Sequence, residues 1–204
     1  MSDFLLQALT TFFALSIAAV AIQNMVFARA LSISRLLSLV DDTTSTGIFG
    51  GLLIGVSAIG GVLNWFANRW LVRITALPAL FRPLILVLCM SVAYFIVFAV
   101  TVKLAPYDKI RKAVDTLPGA TFNCTAVGAI MLSVSMQLDL YETICYTVGA
   151  GAGYVLAVAL VTEGQRRIQT EHTPIAFRGL PVTLLYLAGL ALAVYGLSGY
   201  SFAF

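Results

Sequence analysis

The sequence predicts an all-α integral membrane protein with six transmembrane helices in two inverted three-helix repeats, in which helices one and four are interrupted. Three observations support this fold class. Hydrophobic residues occupy 60% of the 204 positions and charged residues only 10%, with a mean hydropathy of +0.98, so the charges are too few to solvate a globular surface. Six long uncharged runs separate the charged residues. The lysines and arginines also fall unequally on the two sides that these runs define.

The six uncharged runs are the predicted spans. They cover residues 4–28, 43–68, 83–102, 116–138, 143–162 and 179–204. Each run contains at least the roughly 20 residues that a helix needs to cross the hydrocarbon core. The first run has no basic region before it and no clear small-residue cleavage site after it, which favours a retained helix over a signal peptide. Strands of a membrane barrel would alternate over about 10 residues, whereas these runs are apolar on every face.

The order of the spans predicts an internal symmetry. Three spans precede the charged loop at residues 103–115 and three follow it, so the two halves have opposite orientations, as in inverted-repeat transporters. We therefore predict one membrane domain over residues 1–204, with repeats at approximately 1–102 and 103–204. Spans one and four then correspond, with Asn24 late in the first and Asn123 within the fourth. A site is expected where two interrupted helices meet near the midplane.

The stretch with the most chemical content is TFNCTAVG at residues 121–128, inside the fourth span. The amide of Asn123 must be hydrogen-bonded in hydrocarbon, and Pro118 and Gly128 loosen the helix on either side of it. This pattern predicts a broken or re-entrant helix that presents Cys124. The alternative is that Cys124 is a small core residue, which is the commoner role of a free cysteine.

Two stripes of small residues predict close helix packing. Gly47, Gly51 and Gly55 recur at four-residue spacing in the second span, and alternating glycines at 149–153 line the fifth. Both stripes can let a neighbouring backbone approach closely.

Several other functions find no support in the sequence. The three cysteines lie in apolar spans without CxxC spacing, so they indicate neither a disulfide framework nor a zinc site. The net charge of +3 comes from loop residues and does not indicate a nucleic-acid partner. Neither a phosphate-binding glycine loop nor a dinucleotide fingerprint is present, so nucleotide and flavin chemistry would belong to other subunits.

Three segments resemble known signatures. They are QNMV at 23–26, NCTAVG at 123–128 and AFRGLPVTL at 176–184, and YGLSG at 195–199 extends the match. In this order they resemble the RnfA/NqrE membrane subunits. The resemblance implies a six-helix subunit of an Rnf complex, which transfers electrons between ferredoxin and NAD and couples that transfer to Na⁺ or H⁺ translocation. It also implies a lipid environment in a prokaryotic cytoplasmic (inner) membrane.

The same resemblance implies partners and a cofactor. An RnfE-like sister subunit, together with subunits of the RnfD, RnfG, RnfB and RnfC types, would accompany the chain, which would not be catalytic alone. In that family, each of two sister subunits gives two cysteines to an intramembrane [2Fe–2S] cluster. Cys124 matches the second cysteine, but the family's GLCPF segment corresponds to SISRL at 32–36. Ser34 therefore stands at the position of the first cysteine and Arg35 at that of the proline.

The departure at Ser34 leaves three alternatives open. Iron–sulfur clusters of this type are ordinarily held by four thiolates. Ser34 could ligate iron as an alkoxide, a partner subunit could supply the remaining ligand, or the cluster could be altered or absent. The candidate cofactor-binding residues are Cys124, Ser34, Asn123 and Asn24, of which Cys124 is the expected iron ligand and Ser34 a second candidate.

Two other functions are compatible with the same spans. The chain could be a non-redox ion-conducting or scaffold subunit of the same fold, with Cys124 as a packing residue. It could also be a small inverted-repeat permease for an organic substrate. A permease needs a polar cavity, and span four supplies only Asn123 and hydroxyl groups to line one.

The positive charges predict the orientation of the chain. Nine lysines and arginines lie in loops one, three and five, namely Arg29, Arg35, Lys103, Lys109, Arg111, Lys112, Arg166, Arg167 and Arg178. Only Arg69, Arg73 and Arg82 lie on the other face. Because basic loops stay in the cytoplasm, we expect both termini outside it. Reporter fusions at residue 204 and in the loop at 103–115 should therefore report opposite sides, and a cytoplasmic C-terminus would contradict the six-span count.

Overall fold

A computed structural model describes residues 10, 12–39, 43–74, 78–104, 107–168 and 179–197, and eight helices account for most of them. Helix α1 is Phe12–Ile22, and its last part, Ala18–Ile22, is π-helical. The others are α2 (Ile33–Leu39), α3 (Thr43–Ile74), α4 (Pro78–Leu104), α5 (Tyr107–Thr121), α6 (Cys124–Ser135), α7 (Leu140–Ile168) and α8 (Leu180–Leu197). No strand occurs within these ranges, so the all-α prediction is confirmed for them.

Three helices are long and apolar enough to cross a membrane. They are Thr46–Arg73, Leu80–Lys103 and Leu140–Ile168, which agree with predicted spans two, three and five. Near the fourth predicted span, Ile110–Thr121 and Cys124–Ser135 form a pair bent by 45° at a short break. The described part of the chain therefore has three candidate spans, or four if the bent pair is one span.

Predicted spans one and six are represented by shorter apolar helices. These helices, Phe12–Ile22 and Leu180–Gly196, are each 10–17 residues long. Parts of both predicted runs, at 4–9, 11 and 198–204, lie outside the described residues. The six-span inverted repeat accordingly stays a prediction.

Helix α3 occupies the centre of the bundle, where it packs against α4, α5, α6 and α7. Phe49 and Leu53 of α3 are fully buried, as is Tyr154 of α7 at 1% exposure. The rings of Phe49 and Tyr154 lie 5.7 Å apart between centroids, within the range of favourable aromatic pairs. By contrast, α4 exposes large apolar side chains such as Leu84 and Phe95. An apolar outer face over a packed interior is expected for a helix that borders lipid.

The glycine stripe at 149–153 does bring two backbones together, as predicted. A Cβ on Gly149 would lie 3.1 Å from the Cα of Ser16, and one on Gly153 would lie 3.1 Å from the Cα of Val20. Helix α7 thus receives the backbone of α1 in a groove of small residues, the usual way helices approach closely in lipid.

The stripe of Gly47, Gly51 and Gly55 does not pack within this chain, and that prediction is wrong here. No described atom lies within 4 Å of a Cβ built on any of the three. The close contacts of α3 involve the neighbouring face instead, where a Cβ on Gly61 would lie 3.1 Å from Thr147 of α7. The four-residue spacing identified a small-residue face without identifying which face turns inward.

These two stripes provide a matched pair of variants. Gly153→Leu should lower the thermal stability of the purified protein, because overpacking a tight contact costs about 1–3 kcal/mol and the opposing atoms belong to the backbone. Gly51→Leu adds the same side chain to an open face and should leave stability near the wild-type value. The measurement is the melting temperature in detergent, and equal melting temperatures for the two variants would contradict the packing of α1 on α7.

Candidate functional site

The first structural feature of the candidate site is the irregular segment between α1 and α2, which the side chain of Asn24 holds together. Its Nδ2 donates to the carbonyl of Val20 at 2.8 Å and to that of Gly153 at 2.9 Å. Its Oδ1 accepts from the backbone N of Val26 at 2.9 Å and of Phe27 at 3.4 Å. A single amide thus pairs backbone groups left free where the helix ends, which hydrocarbon would otherwise make costly.

The second feature is the break between α5 and α6, where Asn123 is the N-cap residue of α6. Its backbone is extended, with φ −72° and ψ 133°, and its Oδ1 accepts from the backbone N of Thr125 at 2.8 Å. This is the ordinary N-cap arrangement, which satisfies one of the free N–H groups at a helix start. The break therefore begins a new helix with Cys124 as its first residue.

The hydroxyl of Ser32 joins the two breaks. It donates to Oδ1 of Asn123 and accepts from the backbone N of Thr125 at 3.1 Å, across 93 residues of sequence. Ser32 itself has φ +62°, and Ala30 has φ +56°. Positive φ values at residues other than glycine are uncommon and cost roughly 1–3 kcal/mol each. The segment is therefore held in a specific, unfavourable backbone shape that points Ser32 at the start of α6.

The predicted site residues divide into two buried amides and two exposed donors. Asn24 and Asn123 are 1% and 4% exposed. Cys124, the first residue of α6, and Ser34, the second residue of α2, are both exposed. The structure links Asn123 to the α2 segment through Ser32, whereas Asn24 bonds to α7. The predicted residues thus surround two adjacent helix starts.

Arg35 contributes a positive charge to the same region, a placement that the sequence did not predict. Its guanidinium carbon lies 5.3 Å from the ring centroid of Phe49, a cation–π distance. A Cβ on Gly119 of α5 would lie 3.0 Å from a guanidinium nitrogen, so Gly119 provides room for the arginine. Arg35 therefore connects the start of α2 to both α3 and α5.

Several buried polar atoms near the breaks have no hydrogen-bond partner among the described residues. They include Nδ2 of Asn123, Oγ1 of Thr125 and the hydroxyls of Tyr146 and Tyr154. Unpaired buried polar groups are rare because each costs free energy, so each one calls for an explanation such as a functional role. The region of the breaks is therefore the part of the interior where polar groups are available to a ligand or partner.

Ser32 and Gly153 were missed as functional positions because nothing local marks them. The sequence identified Ser32 only as part of a small-residue segment, and Gly153 only as a packing residue. Across the described ranges, no three His, Cys, Asp or Glu side chains cluster closely enough to hold a metal ion. Any iron site at Cys124 therefore requires ligands from beyond these residues or of another type.

Comparison with known proteins finds relatives along nearly the whole chain. The family described as "Rnf-Nqr subunit, membrane protein" matches residues 12–201. The A-type component of the Na⁺-translocating ferredoxin:NAD⁺ oxidoreductase complex of Acetobacterium woodii is 26% identical over 191 residues, which cover 90% of this chain and 94% of the relative. The E-type component of the Na⁺-translocating NADH-quinone reductase of a Psychrobacter species is 29% identical over 196 residues, with coverages of 92% and 96%. The A-type component of an ion-translocating oxidoreductase complex of Photorhabdus laumondii is 24% identical over 199 residues, with coverages of 94% and 98%.

The hydrogen bonds at the two breaks predict an order of stability among three variants. Asn24→Leu removes four hydrogen bonds and Asn123→Leu removes two. Each buried group left unpaired costs about 1–3 kcal/mol. Thr121→Val is the control, because that buried hydroxyl bonds only the carbonyl of Leu117 in its own helix. Folded yield and melting temperature in detergent should therefore decrease from Thr121→Val to Asn123→Leu to Asn24→Leu. A fully stable Asn24→Leu variant would show that its amide does not hold the first break.

Proposed function

The chain belongs to the Rnf-Nqr family of membrane subunits, and we propose that it serves an Rnf-type complex that couples electron transfer between ferredoxin and NAD to Na⁺ or H⁺ translocation. The family and its relatives make it a multi-pass membrane subunit of an ion-translocating oxidoreductase. The more specific assignment to ferredoxin and NAD rests on the name of the Acetobacterium relative and on the AFRGLPVTL segment.

The observation that carries the proposal is the junction of two helix breaks through Ser32, with Cys124 exposed beside it. In an inverted repeat, α1 and α2 would correspond to α5 and α6, and α3 to α7. The extensive contact between α3 and α7 and the link between the two breaks fit this correspondence. Paired interrupted helices are the usual place for ion sites in membrane transporters.

The donor set fits one half of a [2Fe–2S] site shared between two subunits. Cys124 offers an exposed thiol at the start of α6, and Ser34 offers an exposed hydroxyl at the start of α2. Because a cluster of this type needs four ligands, an RnfE-like sister subunit would supply the others. When bound, the cluster would supply one-electron transfer between redox centres of the complex.

The surrounding residues would hold and tune the iron ligands. Asn123 fixes the helix start from which Cys124 projects, and Ser32 fixes the segment that leads to Ser34. Arg35, the next residue, adds a permanent positive charge held over Phe49. A positive charge near iron favours the reduced state, which carries one more negative charge.

One observation favours a second function, that of a non-redox ion-conducting or scaffold subunit. Ser34 replaces a thiol with a harder and less acidic oxygen donor, and the described residues contain only one thiol at the breaks. In that role Cys124 would pack against a partner and the polar interior at the breaks would serve the ion alone. Iron content separates the two functions.

We further propose the surroundings of the chain. The membrane would be the prokaryotic cytoplasmic membrane, with both termini outside the cytoplasm, as the nine-to-three distribution of basic residues predicts. The partners would be the sister subunit, together with subunits of the RnfD, RnfG, RnfB and RnfC types.

Substitutions at Cys124 and Ser34 test the redox function. In the purified complex, Cys124→Ala should abolish the membrane iron and its electron-paramagnetic-resonance signal, because no other thiol of the described residues lies at the breaks. Ser34→Ala should weaken or abolish the signal if the hydroxyl ligates iron and should be nearly silent if the sister subunit does so instead. Ser34→Cys should keep the signal and, if position 34 is a ligand, shift the reduction potential.

Cys89→Ala is the matched control, since this cysteine lies in α4 away from both breaks and should be replaceable without loss of iron. The redox function is excluded if the complex holds no membrane iron. It is also excluded if Cys124→Ala keeps both the signal and full electron transfer.

A further inference from the structure

A basic cavity lies at the end of the bundle where α3 ends and α4 begins. Its volume is about 410 Å³, and its lining includes Arg69 and Arg73 of α3, Arg82 of α4 and Asp139 before α7. These three arginines are the basic residues on the predicted outer face, where the orientation of the chain disfavours them. Their presence in one cavity therefore calls for a local reason.

The arginines of this cavity are not neutralised by the described residues. None of them forms an ion pair with a described carboxylate, and the guanidinium of Arg69 lies 5.1 Å from the ring centroid of Trp65. The one acidic residue of the lining, Asp139, has its backbone N bonded to the carboxylate of Glu142. Three positive charges thus face one negative charge, which favours an anionic ligand.

Two further polar groups of the lining are buried and have no partner among the described residues. They are Oδ1 of Asn68 and Oγ1 of Thr143. Each can accept a hydrogen bond, and the threonine hydroxyl can also donate one. The cavity can therefore satisfy hydroxyl groups as well as a negative charge.

The basic cavity continues into an apolar groove of about 220 Å³, with which it shares Asn68 and Arg82. The groove runs along Leu86 and Met131, and the latter is 53% exposed. A site with a cationic end and an apolar channel matches a ligand that has an anionic head and a hydrocarbon tail. A small free anion would fill only the first part.

The depth of the cavity fits the membrane surface. The indole Nε1 of Trp65 donates to the carbonyl of Leu138 at 3.2 Å, in the turn between α6 and α7. Tryptophan concentrates at the level of lipid headgroups, and arginine close to a span end can reach the same level. The neighbouring side chain of Leu84 is exposed on the face that would border hydrocarbon.

We propose that this cavity and groove bind an anionic phospholipid of the outer leaflet. The arginines would hold the phosphate, Asn68 and Thr143 would bond hydroxyls of a glycerol headgroup, and one acyl chain would lie along Leu86 and Met131. Phosphatidylglycerol has this combination of one negative charge and two headgroup hydroxyls.

Native mass spectrometry of the full-length protein, purified in mild detergent with its co-purifying subunits and then delipidated, tests the proposal. Titration with phosphatidylglycerol should saturate one site, and phosphatidylcholine should bind at least about tenfold more weakly. Arg69→Gln, Arg73→Gln and Arg82→Gln should each weaken binding about fivefold, the effect of one basic residue at an anionic membrane surface. Arg82→Lys should restore most of the affinity, and Arg111→Gln, which removes an arginine of α5 outside the cavity, should leave it unchanged.

Three outcomes would overturn the proposal. Equal affinity for the two lipids would show that the arginines do not recognise charge. Displacement of the lipid by inorganic phosphate at the same concentration would show a free-anion site without a role for the groove. Loss of a co-purifying subunit in the glutamine variants, with lipid affinity unchanged, would show that the arginines bind a protein partner.

Discussion

The need to hydrogen-bond every backbone group at membrane depth is the constraint on which the rest of this structure depends. Two helix breaks lie inside the bundle, and hydrocarbon offers no water to their free N–H and C=O groups. Asn24 pairs four such groups at the first break, and Asn123 caps the helix at the second. The irregular backbone persists because these amides replace the missing helical bonds. The same need explains why polar residues of the interior collect here.

This constraint also shows which features could be predicted from sequence. Asn123 was identifiable because an amide in a long apolar run, next to Pro118, has few stable placements other than a helix end. The spans at α3, α4 and α7 followed from uncharged length alone. Ser32 could not be recognised, because its role depends on the position of Thr125, which lies 93 residues away in sequence. Likewise, the four-residue spacing of Gly51 and its neighbours described a helical face but contained no information about the element it would meet.

The exposed donors and the buried amides have separate tasks in this arrangement. Burial protects the hydrogen bonds that fix the geometry, whereas exposure leaves Cys124 and Ser34 accessible to a partner in the membrane. A ligand held by a rigid helix start is better oriented than one on a free loop. The replacement of a thiol by Ser34 therefore changes the chemistry of the donor without changing the scaffold around it. Arg35 at the following position adds a charge that the scaffold accommodates through Gly119.

The bond between Ser32 and Asn123 also has a consequence for how the protein is made. Synthesis begins at the N-terminus, so residues near 32 emerge long before residue 123, and the two contact each other across 91 positions. Until the second half arrives, the hydroxyl of Ser32 lacks its partners and the unfavourable backbone at Ala30 and Ser32 is not compensated. Contacts of such long range form late because the intervening chain must first be ordered. The first break therefore acquires its final shape only when the chain is nearly complete, and biogenesis of this protein finishes with the two halves closing on one another.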